Sequence, residues 1–246
     1  MRMVLALLVV AVGTSAKTEA SAACRDMTFE AMPYTVCEVQ AADDLRLFLN
    51  GPDGPYGGFT AVEADLSKQG LALGFAMNAG MFQPDLSPVG LYIENAKRLA
   101  PIVTSDGPGN FGLLPNGVFC IGDGFKVIES RSFAKRKPKC RFATQSGPML
   151  VIDGELHPRF KATSDSLNIR NGVGVSADGQ TAWFAISNQP VNFASFARLF
   201  RDGLGAPSAL YFDGSVSRLY APVLARSGAG FNVGPMVGLV IQKAVN

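Results

Sequence analysis

The 246-residue sequence has a single histidine, a single tryptophan and few charges: Asp, Glu, Lys and Arg make up 17% of it, against about 25% in soluble domains. The lone His157 excludes any site that needs two imidazoles, and it is the one base available to a Ser-His-Asp triad. A formal net charge of +2 withholds the strong basic excess expected of a nucleic-acid binder. No internal repeat or heptad is present, and no second apolar span follows the N-terminal one. The four cysteines, Cys24, Cys37, Cys120 and Cys140, fit no zinc-ligand spacing.

The beginning of the chain reads as an export signal. Arg2 precedes the apolar run Val4 to Val12, and small residues follow at Gly13-Thr14-Ser15-Ala16 and Ala20-Ser21-Ala22-Ala23. The run is short of the ~20 residues a membrane span requires. Residues 1–23 are therefore expected to be a signal peptide and 24–246 the mature domain, secreted or periplasmic, with no membrane span. Cys24 does not read as a lipidation site, because Ser21-Ala22-Ala23 lacks the large aliphatic residue of a lipobox. In an oxidising compartment four cysteines imply two disulfides. Three connectivities are open; Cys24–Cys37 with Cys120–Cys140 closes the shortest loops.

Against these scarcities stand 48% hydrophobic residues, 27 glycines and 15 prolines, enough for a substantial core cut by many turns. Short strand-like runs dominate: 34–39, 45–49, 74–77, 90–93, 117–121, 126–129, 149–152, 172–176, 181–186, 209–212 and 237–242. Asp153-Gly154 and Asp178-Gly179 read as two-residue hairpin turns. Two segments have helical periodicity. Residues 60–69 open on Thr60 with Glu63 three positions on, a capping-box pattern, and stop at Gly70. Residues 192–204 open on Asn192 and align Phe193, Phe196, Ala197, Phe200 and Leu204 on one face, as a core-facing helix would. The expected fold is α+β, a single domain of mixed, mainly antiparallel β-sheets with two or three outer helices.

Polar clusters follow the strand-like runs, where sites commonly form. They are Asn78-Ala79-Gly80-Met81-Phe82, Gln145-Ser146-Gly147-Pro148, Arg170-Asn171-Gly172 and Asp213-Gly214-Ser215. Taken together these blocks resemble the phosphodiester glycosidase family, which includes the enzyme that uncovers mannose 6-phosphate by removing N-acetylglucosamine from a phosphodiester. Residues 78–82 are similar to the family's Asn-Gly-Gly-Phe-Phe block, 146–150 to its Thr-Gly-Pro-Met-Leu block, and 213–217 to its Asp-Gly-Gly-Gly-Ser block. Pro88-Val89-Gly90-Leu91 and the stretch Gly109 to Gly117 resemble its bacterial branch. The likeness runs from about Gly74 to the C-terminus. Ala79 stands where the family has glycine, and the glycine run after Asp213 is cut to Gly214. A Cβ at either place would narrow a backbone-lined pocket.

The resemblance implies a hydrolase for a sugar-1-phosphodiester or related substituted sugar in envelope or extracellular glycan. Its alternative is a non-catalytic glycan-binding or envelope-assembly protein on the same fold. Phosphate monoester is a good leaving group, so such a site needs a carboxylate and hydrogen-bond donors more than a strong general acid. Asp213 is the candidate catalytic carboxylate, as nucleophile or as base for water. Asn78, Gly80, Gln145, Ser146, Gly147, Arg170, Asn171, Gly214 and Ser215 are the candidate substrate-binding residues. No cofactor is expected. Asp85, Asp106 and Asp213 can offer oxygen ligands to a divalent cation, although their spacing matches no calcium loop. A serine hydrolase using Ser146 or Ser215 with His157 is a third reading, weakened by the absence of a G-x-S-x-G elbow. His157 itself reads as a solvent-facing loop residue, Glu94 and Asp106 as surface charges, Trp183 as core, and the basic run 131–141 as a solvated loop pinned by Cys140.

Overall fold

Phe184 touches two other aromatic rings, Phe75 at 5.3 Å and Phe119 at 5.7 Å between centroids, and each of the three belongs to a different sheet. The computed structural model describes residues 23–243. The signal-peptide reading of residues 1–23 falls outside them except for Ala23, which begins the first strand.

The sheet carrying Phe184 has seven strands, in the spatial order Ala23–Phe29, Met32–Gln40, Thr181–Ser187, Asn171–Val175, Ser208–Asp213, Met149–Ile152 and Glu155–Leu156. Phe119 lies in a five-stranded sheet ordered Gly124–Glu129, Gly117–Gly122, Phe142–Ser146, Tyr92–Glu94, Lys97–Ala100. Phe75 lies in another, ordered Arg226–Ser227, Leu219–Ala221, Leu71–Asn78, Met236–Gln242, Leu45–Phe48. Apolar side chains from all three inner faces, among them Val173, Leu210, Phe212, Phe142, Leu47 and Val237, fill the space between them. The described residues form a strand-rich single domain with three α-helices, broadly the expected α+β class. The expected mixture of pairings is corrected: the named strands of these sheets all pair antiparallel. Some pairs are hairpins of sequence neighbours, but others join distant segments, as where Met32–Gln40 pairs with Thr181–Ser187 and Leu71–Asn78 with Met236–Gln242.

Each helix covers one outer face. Helix Phe59–Ser67 presses Phe59, Val62 and Leu66 onto the sheet of Leu71–Asn78. It begins one residue before the expected Thr60, which leaves Thr60 exposed within the first turn, and no capping box forms. Glu63 accepts instead from the Leu73 amide at 2.7 Å, tying helix to strand. Helix Phe193–Arg198 starts as expected, with Asn192 Oδ1 accepting from the Ser195 amide at 2.9 Å. It continues as a π-helical turn, Leu199–Gly203, and packs Phe196, Ala197, Leu199 and Phe200 against the seven-stranded sheet. The third helix, Ser130–Arg136, occupies the basic run read as loop. Its apolar face is only Phe133 and Ser130, too little to show as periodicity, and Glu129 caps it through the Arg131 and Ser132 amides.

Asp153 and Gly154 both take positive φ in a tight hairpin, as expected. At Asp178-Gly179 only Gly179 does so, because Ser176 N–H reaches over a longer loop to the Thr181 carbonyl. The disulfides are Cys24–Cys37 and Cys120–Cys140. The first joins residues directly opposite on an antiparallel pair. The second fastens the segment after the basic helix to strand Gly117–Gly122. No helix among the described residues is long and apolar enough to cross a membrane.

Candidate active site

Where the three sheets meet, strand ends contribute one polar residue after another. Asn78 closes strand Leu71–Asn78, Ser146 closes Phe142–Ser146, Asn171 opens Asn171–Val175 and Asp213 closes Ser208–Asp213. All four are buried. Asn171 is the hub. Its Nδ2 donates to the Asn78 backbone oxygen at 2.8 Å and to Asn78 Oδ1 at 3.0 Å, while its Oδ1 accepts from the Asp213 amide at 3.1 Å. Asn78 Oδ1 also accepts from the Arg218 amide at 2.9 Å, and Ser217 Oγ lies 2.8 Å from the Asp213 carbonyl oxygen.

A bulge aims Asp213. Asn171 pairs with Asp213 but Gly172 pairs with Tyr211, which leaves Phe212 as the extra residue. A bulge reorients the residues beside it and leaves one backbone group without its ladder partner. Here Ser146 Oγ donates to the Phe212 carbonyl at 2.8 Å. The Asp213 side chain then turns into its own loop, where Oδ1 accepts from the Gly214 amide at 2.6 Å and the Ser215 amide at 2.9 Å. Burial pushes its pKa above the ordinary aspartate value, and the Ser215, Gly214 and Val216 amides oppose that shift. The Gly214 and Ser215 bonds both fall on Oδ1.

The remaining candidates occupy several surroundings. Gly214 and Ser215 offer their amides to Asp213, not outward. Gly214 is also where a side chain has no room: an added Cβ would stand 2.1 Å from the Tyr211 hydroxyl oxygen. Gly80 has φ 153° and would set a Cβ 2.9 Å from Thr144 Oγ1. Thus the motif glycines that persist are ones that packing demands. Ala79, the departure from the family pattern, is fully buried among the core side chains between the sheets, so its methyl fills core and narrows no pocket. Gly147 packs against Asn116. Gln145 is committed inside the fold: Oε1 accepts from the Leu91 and Val103 amides and Nε2 donates to Ser130 Oγ and the Val103 carbonyl. That places it as a brace for the strand ends around residues 91 and 103.

Arg170 does not point where Asn171 points. Adjacent residues of a strand face opposite sides, and the Arg170 side chain runs along the helix-covered face, fully buried, 3.7 Å over the Phe193 ring. Nε donates to the Val191 carbonyl and Nη2 to the Ser166 carbonyl, while Nη1 has no partner. Burial lowers its pKa. The Tyr211 hydroxyl nearby is also buried without a hydrogen bond, and burial drives its pKa far up. Arg170 therefore supports the Asp213-Gly214 turn from behind through Tyr211.

His157 corrects its sequence reading. It is buried at 1% exposure, stacked 4.7 Å from Phe160, which stacks 5.0 Å from Phe193. Proline and aromatic neighbours in a short loop concealed this burial in the sequence. Nδ1 accepts from the Arg159 amide and Nε2 has no partner. Burial lowers its pKa, a shift partly offset by the Leu114 carbonyl. Among the described residues it bonds to no serine, so the third reading, a serine hydrolase, has no Ser–His pair here. Asp85 is held by Ser87 in an exposed turn. Neither it nor Asp106 gathers with Asp213: among the described residues no three His, Cys, Asp or Glu side chains are grouped to hold a metal. Glu94 is partly buried beside Tyr92, which donates to it at 3.1 Å, and burial raises its pKa. Trp183 is half-buried and donates to Glu38 Oε2 at 3.1 Å.

Sequence reasoning missed Ser217 and Arg218. Ser217 ends the similarity block that begins at Asp213 and Arg218 follows it directly, so the run Ser215-Val216-Ser217-Arg218 is the signal that could have found them.

Residues 73–239 match the model of a family described as phosphodiester glycosidase. Uncharacterized protein YigE of Escherichia coli (strain K12) is 35% identical over 200 residues, 80% of this chain and 77% of that one. Two solved structures share the fold at 15% identity. One is the catalytic domain of zebrafish N-acetylglucosamine-1-phosphodiester alpha-N-acetylglucosaminidase, auto-inhibited by its pro-peptide, with a TM-score of 0.60 over 88% of this chain and 81% of that one. The other is a hypothetical protein from Synechocystis, with a TM-score of 0.57 over 89% of this chain and 61% of that one.

Proposed function

The chain belongs to the phosphodiester glycosidase family, and from that premise we propose that it hydrolyses a sugar-1-phosphodiester at the anomeric carbon, with Asp213 as the catalytic carboxylate. The observation that carries this reading is the placement of Asp213: a buried carboxylate at a strand end, beside a bulge, with Oδ1 held by the amides of its own loop. A carboxylate so placed can face the oxocarbenium-like centre, as nucleophile or as base for water.

The bond that breaks joins C1 to its bridging oxygen, and the phosphate monoester leaves with the electron pair. Water supplies the new C1 oxygen. Because the leaving group is a stable anion, protonation of the departing oxygen is a small part of the barrier. The reaction needs no histidine, which suits a chain whose one imidazole lies in an aromatic stack. The amides of residues 214 and 215 keep Asp213 oriented, and the raised pKa makes it the stronger base. Asn171, Asn78, Ser146 and Ser217 position the loop.

The two disulfides support an oxidising, secreted or periplasmic location, where envelope or extracellular glycan would be the source of substrate. Ala79 and the shortened glycine loop are the motif evidence for a non-catalytic glycan-binding or envelope-assembly protein; Ala79 packs into the core and the shortened loop still holds Asp213 through its amides, so catalysis is the favoured reading.

Hydrolysis in water enriched with oxygen-18 tests the reaction type. Cleavage at C1 puts the label in the released sugar. Label in the phosphate instead identifies attack at phosphorus and overturns the glycosidase assignment.

A further inference from the structure

Beside the Asp213 loop lies an open cleft of about 590 Å³. Its lining includes Ser187, Asn188, Ser217, Arg218, Arg226 and Ser227, and no aspartate or glutamate. Ser217 links it to the candidate site directly, since the same hydroxyl lies within bonding distance of the Asp213 carbonyl. Arg218 belongs to both as well, through its amide on Asn78 Oδ1.

The two arginines differ in what they have left to offer. Arg218 spends its guanidinium on backbone, with Nε and Nη2 donating to the Gly228 carbonyl and Nη1 to the Phe231 carbonyl. It shapes the cleft wall and adds positive potential there. Arg226 spends only Nη1, which donates to Thr35 Oγ1 and Asn188 Oδ1 at 2.7 Å each. Both acceptors are neutral. The carboxylate nearest along this chain of bonds is Asp26, reached only through the Thr35 hydroxyl. Among the described residues the ion pairs use Arg46, Lys68, Arg198 and Arg201, so neither cleft arginine has a counter-ion. Fixed positive charge on a cavity whose lining holds no aspartate or glutamate favours an anion, and a guanidinium with Nε and Nη2 unspent has the fork that binds phosphate oxygens bidentately.

We propose that this cleft is a phosphate-binding subsite in which Arg226 is the ligating cation and Arg218 holds the Gly228–Phe231 wall. The proposal rests on the reading given above, in which a phosphate monoester departs from Asp213's neighbourhood. It adds where that phosphate sits and which residue of this chain holds it.

Titration of the full chain with inorganic phosphate, followed by calorimetry at constant ionic strength with acetate as a control anion, tests it. Wild type is expected to bind one phosphate saturably and acetate not at all. Arg226→Gln weakens phosphate at least ten-fold, and Arg226→Lys retains most of the affinity. Asn188→Asp keeps the shape of the site and places a carboxylate on Arg226, so it too weakens phosphate binding even if Arg226→Gln is poorly folded. No saturable binding by wild type, equal binding of acetate, or unchanged affinity in a folded Arg226→Gln or Asn188→Asp overturns the proposal. Phosphate binding without turnover of any sugar phosphodiester overturns the catalytic reading and leaves the cleft standing. Turnover with an unaltered phosphate affinity in those variants does the reverse.

Discussion

Asn171 Nδ2 bridges the seven-stranded sheet to a five-stranded one by donating to both the backbone oxygen and the side-chain oxygen of Asn78, at 2.8 and 3.0 Å. With Oδ1 accepting from the Asp213 amide, this one side chain satisfies three buried partners and fixes the Asp213 loop to a second sheet. Asn171→Ala removes the side-chain partner of the Asp213 amide and of the Asn78 backbone oxygen, while Asn78 Oδ1 keeps the Arg218 amide; a buried polar group that loses its partner costs about 1–3 kcal/mol. We expect a loss of about 2–4 kcal/mol in urea unfolding, with activity falling further than stability accounts for at temperatures where the variant is folded. A change below ~0.5 kcal/mol would mean that Asn171 holds nothing together.

Gly214 and Tyr211 form a second coupled pair. A Cβ at 214 would stand 2.1 Å from the Tyr211 hydroxyl oxygen. Gly214→Ala is expected to destabilise by about 1–3 kcal/mol through overpacking and to displace the Asp213 loop. Tyr211→Phe removes the clashing oxygen along with a buried hydroxyl that has no hydrogen bond, so alone it should be close to neutral. The double variant should regain part of the loss, leaving a positive coupling in a double-mutant cycle. Strict additivity of the two changes would contradict this packing.

His157 predicts a pH dependence of stability. Its pKa is lowered in the folded state, mainly by burial, so the folded chain binds its proton less readily than the unfolded chain. Stability attached to the neutral imidazole is present above the ordinary value of 6.5 and is lost as pH falls below it toward the lowered folded value. Thermal melts between pH 8 and pH 5 should show Tm declining below about pH 6.5, with a shallower decline in His157→Gln. Identical slopes would assign the acid sensitivity to other groups.

Much of this architecture is legible in the sequence, and the exceptions have physical causes. Alternating or continuous apolar runs marked the strands around Phe75, Phe119 and Phe184, and Asn192 marked its helix. Strand Phe142–Ser146 was hidden because every residue in it is buried, including the polar Thr144, Gln145 and Ser146, so no alternation appears. The short helix Ser130–Arg136 shows mostly charge, since Phe133 is its one large apolar contact. At the site, Asp213, Asn78 and Asn171 could be picked out as strand-end polar residues. That Arg170 and Asn171, neighbours in sequence, send their side chains to opposite sides of one sheet could not be read without knowing that the strand opens at Asn171, with the Arg170 carbonyl just before it already paired to Ser187. The bulge at Phe212 is likewise a property of two strands in register, and no single segment encodes it.

The raised pKa of Asp213 also has a kinetic consequence. If the ionised carboxylate is the working form, kcat/KM should fall on acidification with a midpoint above the ordinary aspartate value of 3.8. Ser215→Pro removes one of the amides that favour the charged form, and should move that midpoint upward. A midpoint at or below the ordinary value would contradict the buried, weakly compensated environment described for this carboxylate.

The central claim is that Asp213 performs glycosidic cleavage of a sugar-1-phosphodiester. The most direct measurement is turnover of a panel of chromogenic sugar-1-phosphodiesters, N-acetylglucosamine among the sugars, by wild type and Asp213→Asn, with thermal melts on both. The account predicts hydrolysis of at least one substrate by wild type, and in Asp213→Asn a kcat reduced by about 10²-fold or more in a chain whose Tm is close to that of wild type. Full turnover by folded Asp213→Asn, or none by wild type across the panel, would contradict it.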